Sequence, residues 1–548
     1  MVNRSHSAPP ALAHGLLIGL LACSACTAFE QELPECSTNV QCTDKLSAGG
    51  ATVPGRCIRE PAPHCVQLTS DDCSTITGDP TDESAVLIAS LLSTTGAQAA
   101  TNLARQQSAM MAVEEINAAN ASGGILMSSA PGDARKLVML SCDENTNLVR
   151  ASSHLINELR VPAIVGPNLS QDTLDLTQGN PATGLPSSAQ AGTALMSPSA
   201  VASAIATIPD NGLSFMMVPS DIQRVPLMKM RINALEAQLR AARGNKPTIK
   251  IAIYYRSDAL GQGTRDGLSS LMINNVTLAS AIATGNARED VYNPASTDNG
   301  SIVTSYLAFQ PDIIVVIGTA EAVTYFTVPL EAAWATQLPS VPKPFYVAID
   351  STKVPELLAA VAKDADQRKR WSGTGITPTP ESTQTFAAFQ IAYGQRWKDP
   401  VTGKTAAATV SGMGPAYDAV YTIALSLVGK RDTVIHGSTI IAGMPNLATN
   451  TDPCPSDANG FQAPCFAISD HARTLYQNMS MLLGAQKVTE IATFGRLEWD
   501  SQGAKANGLI ELWCIDGSGP NPVYASSGQT YDVKGQAPAG SYVQCAGP

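Results

Sequence analysis

The residues best placed to do chemistry lie in short turns of Ser, Thr, Asn and Gly that follow apolar runs. Ser93-Thr94-Thr95-Gly96-Ala97 follows the run 85–92, and Gly166-Pro167-Asn168-Leu169-Ser170-Gln171 follows 162–165. Ser197-Pro198-Ser199-Ala200, Gly318-Thr319-Ala320-Glu321 and Asp350-Ser351-Thr352 repeat the pattern. At the carboxyl ends of parallel strands such turns present backbone N–H groups to a ligand. The chemistry they suit is non-covalent capture. Catalytic groupings do not assemble: Gly-x-Ser-x-Gly, a Walker loop and Gly-x-Gly-x-x-Gly are absent, and Gly261-Gln262-Gly263 lacks the third glycine. The six histidines (His6, His14, His64, His154, His436 and His471) are scattered, with no pair at metal-binding separation. The chain therefore reads as a non-enzyme with no metal and no cofactor.

The elements that must position these turns alternate strand and helix. A strand at 85–92 leads into a helix with Leu103, Met110, Val113 and Ile116 at helical spacing. Further strands fall at 136–140, 162–165 and 194–196, and a helix carries Leu148, Ala151, Leu155 and Leu159 on one face. A second series follows Arg243-Gly244-Asn245-Lys246-Pro247, with strands at 249–255, 313–317 and 345–349. Uniformly apolar strands require helices on both faces of a parallel sheet. The fold class is α/β, with two Rossmann-like lobes and a ligand between them. Composition agrees: 548 residues, 15% charged and 5% aromatic, with a net charge of -11, which disfavours nucleic acid as a partner.

The start of the chain reads as an address. Arg4 precedes an apolar stretch at 11–21, too short for a bilayer span of about 20 residues. Leu20-Leu21-Ala22-Cys23 resembles the bacterial lipobox, which makes 1–22 a signal peptide and Cys23 the lipidated residue. Ser24 in the next position favours the outer membrane. The localisation expected is an exported, membrane-anchored lipoprotein. Of the 12 cysteines, Cys26, Cys36, Cys42, Cys57, Cys65 and Cys73 crowd a Pro/Gly/Thr-rich stretch and suggest a disulfide-stapled module over 23–83. Cys454 and Cys465 form a local clasp, and Cys514 with Cys545 ties down the C-terminal tail. Cys142 either pairs with the N-terminal module or stays buried.

Several segments, in order, resemble the type I periplasmic solute-binding proteins of the leucine/isoleucine/valine branch. They are Glu114-Glu115-Ile116-Asn117-Ala118, Ile164-Val165-Gly166-Pro167, Leu195-Met196-Ser197-Pro198-Ser199-Ala200 and Val218-Pro219-Ser220-Asp221. Tyr255-Arg256-Ser257-Asp258-Ala259-Leu260-Gly261-Gln262-Gly263, Pro415-Ala416-Tyr417-Asp418-Ala419-Val420 and Gly495-Arg496-Leu497-Glu498-Trp499-Asp500 continue the likeness. The resemblance implies two lobes joined by a three-segment hinge near 243–247, 377–381 and 488–495. Lobe 1 is then 84–243 plus 381–488, with a Cys-clasped insertion at 434–475, and lobe 2 is 248–377 plus 489–548. It further implies that Ser170, Ser199 and Ala200 meet a ligand carboxylate and that Asp350 meets an ammonium. Thr319 and Leu260 stand where aromatic residues commonly line the pocket, and Val201 where a Thr is usual.

The function implied is capture of an amino acid or related polar amide for an ABC permease. The alternative is a sensory or surface-assembly lipoprotein that uses the same fold without transport. In both cases the partners are a small ligand, a membrane reached through a lipid anchor, and a permease or sensor protein.

The anchor is directly testable. Cys23→Ala should abolish incorporation of radiolabelled palmitate and leave the protein soluble or uncleaved. Label that persists in the variant, or never enters the parent, would refute lipidation at Cys23.

Overall fold

A computed structural model describes residues 35–545 except 120–122, 131, 245–247, 399–409, 433, 450, 458–459, 469–471 and 519–520. The expected signal peptide, Cys23, Ser24 and Cys26 lie outside the described residues. Two sheets carry the fold. The first contains β1 (Cys73–Thr77), β2 (Val86–Leu92), β3 (Leu137–Asp143), β4 (Ala163–Val165), β5 (Ala194–Ser197) and β6 (Ser214–Met216). Their spatial order is β6-β5-β4-β2-β3-β1, all parallel except β1, which runs antiparallel to β3 at the edge. All seven residues of β2 are buried, as a strand covered on both faces must be.

Alternate residues of these strands feed different cores. Val86, Ile88, Met139 and Val165 pack with α1 (Ala99–Ala118), while Leu87, Ala89, Leu91 and Leu140 pack with Leu155 and Leu159 on the other face. The buried stripe of α1 is Arg105, Ala109, Ala112 and Ile116, and Leu103, expected on that stripe, is instead 45% exposed. The expected helix through Leu159 is interrupted: Glu144–Ser153 passes into a π-helical turn at His154–Glu158.

Past the first sheet, helices α2 (Ser170–Gln178) and α3 (Asp221–Ala242) precede a second sheet. Its strands are β7 (Ile251–Arg256), β8 (Ala287–Tyr292), β9 (Ile313–Ile317), β10 (Phe345–Ala348), β11 (Trp371–Thr377), β12 (Leu509–Asp516), β13 (Val523–Asp532) and β14 (Ala537–Ala539). The order is β8-β7-β9-β10-β11-β12-β13-β14, parallel from β8 to β11 and antiparallel from there on. β8 reads Ala-Arg-Glu-Asp-Val-Tyr, and its charge suits an edge position.

The chain crosses between the two bodies at places that differ from two of the three expected. Val225, Met228, Ile232 and Leu235 of α3 pack with Ile251 and Ile253, so α3 belongs to the second core. The first passage therefore precedes Asp221 and does not lie at 243–247. Ser220 starts the helix there, its N–H donating to Gln223 Oε1 at 2.8 Å. After β11, helix α4 (Thr383–Arg396) returns to the first core through Phe389 and Tyr393, followed by the fully buried α5 (Met413–Ser426). Leu497 still packs in the first core and Ala504 beside Met216, so the last passage lies between Ala504 and Leu509, later than 488–495.

The cysteines pair as Cys36–Cys57, Cys42–Cys65, Cys73–Cys142, Cys454–Cys465 and Cys514–Cys545. Cys142 thus pairs with the N-terminal module, whose last strand is a member of the first sheet. Sγ atoms of Cys36, Cys42 and Cys57 lie within 4.8 Å of one another because two disulfides run side by side. Disulfide sulfur offers no thiolate to a metal. Among the described residues no helix is long and apolar enough to cross a membrane.

Glu490 is wholly buried, with Oε1 accepting from Asn478 Nδ2 at 2.8 Å and Oε2 without a partner among the described residues. Burial pushes its carboxyl up to about 8 from an ordinary 4.5. A folded-state value above the unfolded one gives stability that is complete below 4.5 and lost as pH rises through about 8. Glu490→Gln should therefore match the parent's melting temperature near pH 4.5 and exceed it at pH 8. Parallel melting curves for parent and variant across that range would contradict a buried, protonated Glu490.

Candidate functional site

The carboxyl ends of both sets of parallel strands face one cleft, a cavity of about 70 Å³. The first body contributes Thr101 and Arg105 from α1, Asn168, Ser170 and Ser199 from the turns after β4 and β5, and Ser411 from the loop before α5. The second contributes Leu260, Thr319, Asp350 and Lys353. Four of the five ligand-facing residues expected from the sequence therefore meet at one place. Ala200 does not line the cleft: it is 1% exposed and its N–H donates to Ser197 Oγ at 3.0 Å.

Local chemistry explains the turns. Gly166 sits at φ 130°, where a Cβ would lie 2.1 Å from the Leu91 carbonyl oxygen, so only glycine lets this turn pass beside β2. Gly261 and Gly263 serve packing: their Cβ atoms would meet Arg256 O at 1.9 Å and Asp221 Oδ2 at 2.1 Å. The turn after β2 is largely occupied by the protein itself. Ser93 N–H donates to Asn168 Oδ1 at 3.3 Å and Thr94 N–H to Asp143 Oδ1 at 3.0 Å, so those two donors, read from the sequence as free for ligand, are taken. Glu144, which accepts from Ser93 Oγ at 3.0 Å, has its carboxyl pushed up by burial and by Asp172.

The expected site side chains also have internal partners. Ser170 Oγ accepts from Val201 N at 3.1 Å and Ala202 N at 3.2 Å, lacing the turns after β4 and β5 together. Ser199 Oγ donates to the Asn168 carbonyl at 2.9 Å. Thr319 Oγ1 donates to Glu321 and accepts from Arg256 Nη1 at 3.4 Å. Asp350, 6% exposed, forms an ion pair with Arg224 of α3 and accepts from Ser411 Oγ at 3.5 Å.

Arg105 is the group the sequence reading missed. It is 7% exposed, and Nε donates to the Ser411 carbonyl at 2.8 Å while Nη1 donates to Asn102 Oδ1 at 2.9 Å. Both partners are neutral, and among the described residues no carboxylate lies within ion-pair distance of it. Burial pushes its guanidinium down to about 10, with Asp350 and Glu144 pulling the other way, so it stays charged at neutral pH. Lys353, by contrast, has Glu511 at 3.3 Å. Arg105–Ser411–Asp350–Arg224 thus forms a chain across the cleft with two guanidiniums and one carboxylate. A detectable signal did exist: Arg105 and Arg224 each begin a helical stripe whose later members are apolar, and a charge buried with that stripe calls for a partner.

No family model and no curated protein matches the sequence. Solved structures do. The chain is similar to the branched-chain amino acid transporter substrate-binding protein LivJ of Streptococcus pneumoniae, solved with isoleucine, at 17% identity and TM-score 0.52 over 81% of this chain and 99% of that one. It is similar to the leucine-binding protein LivK of Thermotoga maritima at 14% and 0.51, covering 80% and 98%. A solute-binding protein of an ABC transporter from Rhodopseudomonas palustris, solved with 3,4-dihydroxybenzoic acid, matches at 12% and 0.52, covering 82% and 98%. At these identities the likeness shows the fold: this chain has the two-lobed architecture of type I periplasmic binding proteins.

Proposed function

We propose that the chain is a solute-binding protein of the leucine/isoleucine/valine branch that closes its two lobes over a small carboxylate-bearing solute, with an amino acid as the leading candidate. The observation that carries this reading is Arg105, a buried, charged guanidinium at the cleft with only neutral partners. A ligand carboxylate supplies the missing negative charge in a bidentate, charge-assisted geometry. The N-terminus of α2, with Leu169 and Ser170 at the cleft, favours an anion in the same place. Isoleucine and 3,4-dihydroxybenzoic acid, the ligands of two similar structures, share a carboxylate.

Asp350 is the proposed ammonium acceptor. A carboxylate has about four lone-pair sites, so pairing with Arg224 and accepting from Ser411 leaves it able to accept further bonds. Ser170 and Ser199 shape the carboxylate side through the loops they lace, and Thr319 lines the opposite wall. Export, a lipid anchor at Cys23 and delivery to an ABC permease complete the proposal. Ser24 supports the second reading, a sensory or surface-assembly lipoprotein at the outer membrane that binds the same solute without transport. Import of labelled solute by cells, lost when the protein is deleted, distinguishes the two.

Calorimetry with isoleucine and with benzoate separates the roles of the two charges. Truncating one partner of a buried charged contact costs about 2–5 kcal/mol, so Arg105→Gln should weaken both ligands by roughly 30-fold or more. Asp350→Asn should weaken isoleucine similarly and leave benzoate within about threefold, since benzoate has no ammonium. Unchanged binding in Arg105→Gln would remove the carboxylate assignment.

A further inference from the structure

A second cavity, of about 540 Å³, lies at the opposite end of the first sheet. Val86 at the start of β2, Pro162 just ahead of β4 and Thr193 just ahead of β5 line it, whereas the cleft lies beyond the other ends of the same strands. Seven strand residues at about 3.3 Å each put the two sites roughly 20 Å apart. One wall is the antiparallel hairpin Gly55–Ile58 and His64–Gln67 of the disulfide-stapled module, which brings in Arg56 and Ile58. Cys36–Cys57 and Cys42–Cys65 brace that module internally, and Cys73–Cys142 ties it to the first sheet, so the hairpin is held in place as a wall. Its volume falls within the range of about 300–1,000 Å³ usual for small-molecule sites.

Its charge is unbalanced. Arg56 Nη2 donates to the Ala85 carbonyl at 2.9 Å, while Nη1 is buried without a partner among the described residues. Arg135 donates to the carbonyls of Ser84 and Asp432, again neutral groups. Burial pushes the Arg56 guanidinium down; Glu83 and Asp82 oppose that, and Arg135 and Arg59 add to it, while burial also pushes Arg135 down against Asp82. Glu83 lies 3.9 Å from Arg59 and forms no ion pair with Arg56 or Arg135. Ile156, Leu159 and Val161 supply an apolar wall beside them.

We propose that this cavity is a second ligand site, which takes an amphiphilic organic anion with its carboxylate or phosphate on Arg56 and Arg135 and its apolar body against Ile156, Leu159 and Val161. The two guanidiniums gain an ion pair at contact distance, which neither Glu83 nor Asp82 makes with them, and a planar fork suits either oxyanion. A ring or short hydrocarbon chain fills the remainder without displacing any hydrogen-bonded group of the protein. Occupancy is independent of the cleft, because the two sites share no residue.

The test is a fluorescence titration of the full mature protein with 8-anilinonaphthalene-1-sulfonate, an organic anion with an apolar ring body. One saturable site is expected, weakened tenfold or more by Arg56→Gln and by Ala191→Trp, and unchanged in Arg105→Gln. Ala191 is exposed at the cavity rim, so a tryptophan there blocks access without removing a core contact. If circular dichroism shows Arg56→Gln misfolded, Ala191→Trp decides. Competition by phenyl phosphate against benzoate assigns the oxyanion. Absence of saturable binding, equal binding in both cavity variants, or loss in Arg105→Gln would overturn the proposal.

Discussion

Burying a guanidinium is costly unless its charge is met, and that constraint organises the space between the two sheets. Two buried guanidiniums of the second body are met by carboxylates. Arg256 is held by Asp258 at 2.7 Å and Glu321 at 3.0 Å, and Arg224 by Asp350. Arg231 stacks 3.5 Å over the ring of Tyr542 and donates to Ser372 Oγ at 3.0 Å. The first body brings Arg105 to the same cleft with only a backbone carbonyl and an amide oxygen as partners. At the cleft, Asp350 of the second body is thus paired with Arg224, whereas Arg105 of the first body has no carboxylate at ion-pair distance among the described residues. On the proposed reading, that asymmetry favours an anionic group of the ligand on the first body.

The frame that holds this arrangement is made at three levels. Parallel strands fix the heights of the turns, so that Asn168, Ser199, Thr319 and Asp350 emerge at a common level. Hydroxyl lacing then fixes the turns relative to one another, with Ser170 bonded to the loop after β5 and Ser199 to the loop after β4. Within the first body, Asp418 of α5 accepts from Thr493 N at 3.2 Å and from Thr493 Oγ1 at 2.7 Å. Burial pushes the Asp418 carboxyl up to about 7 and the Lys505 ammonium down to about 8, each favouring the charged form of the other.

Much of the fold was legible because uniformly apolar strands announce a doubly covered sheet. Ile313–Ile317 reads Ile-Ile-Val-Val-Ile and emerges with the bounds the sequence suggested. Strands that fail that test were not visible. Half of β8 is charged because it is an edge, and β1 reads Cys-Ser-Thr-Ile-Thr because it pairs antiparallel on one side only. The boundary at 243–247 misled for a related reason: Arg243 and Gly244 follow the end of a helix, and a helix end is not a lobe boundary when the helix packs on the strand that follows. Within the site, turn residues were recoverable from their types, whereas Arg105 and Arg224 lie mid-helix, and Arg224 took up the one carboxylate that sequence reserved for a ligand.

The most direct measurement is a crystal structure with the tightest-binding member of a panel of amino acids and aromatic carboxylic acids. The account predicts the ligand between the two sheets, its carboxylate within about 3 Å of the Arg105 guanidinium. Asp350 should remain paired with Arg224. A ligand whose carboxylate lies elsewhere, or an Arg105 that turns away to an internal carboxylate when ligand binds, would contradict it.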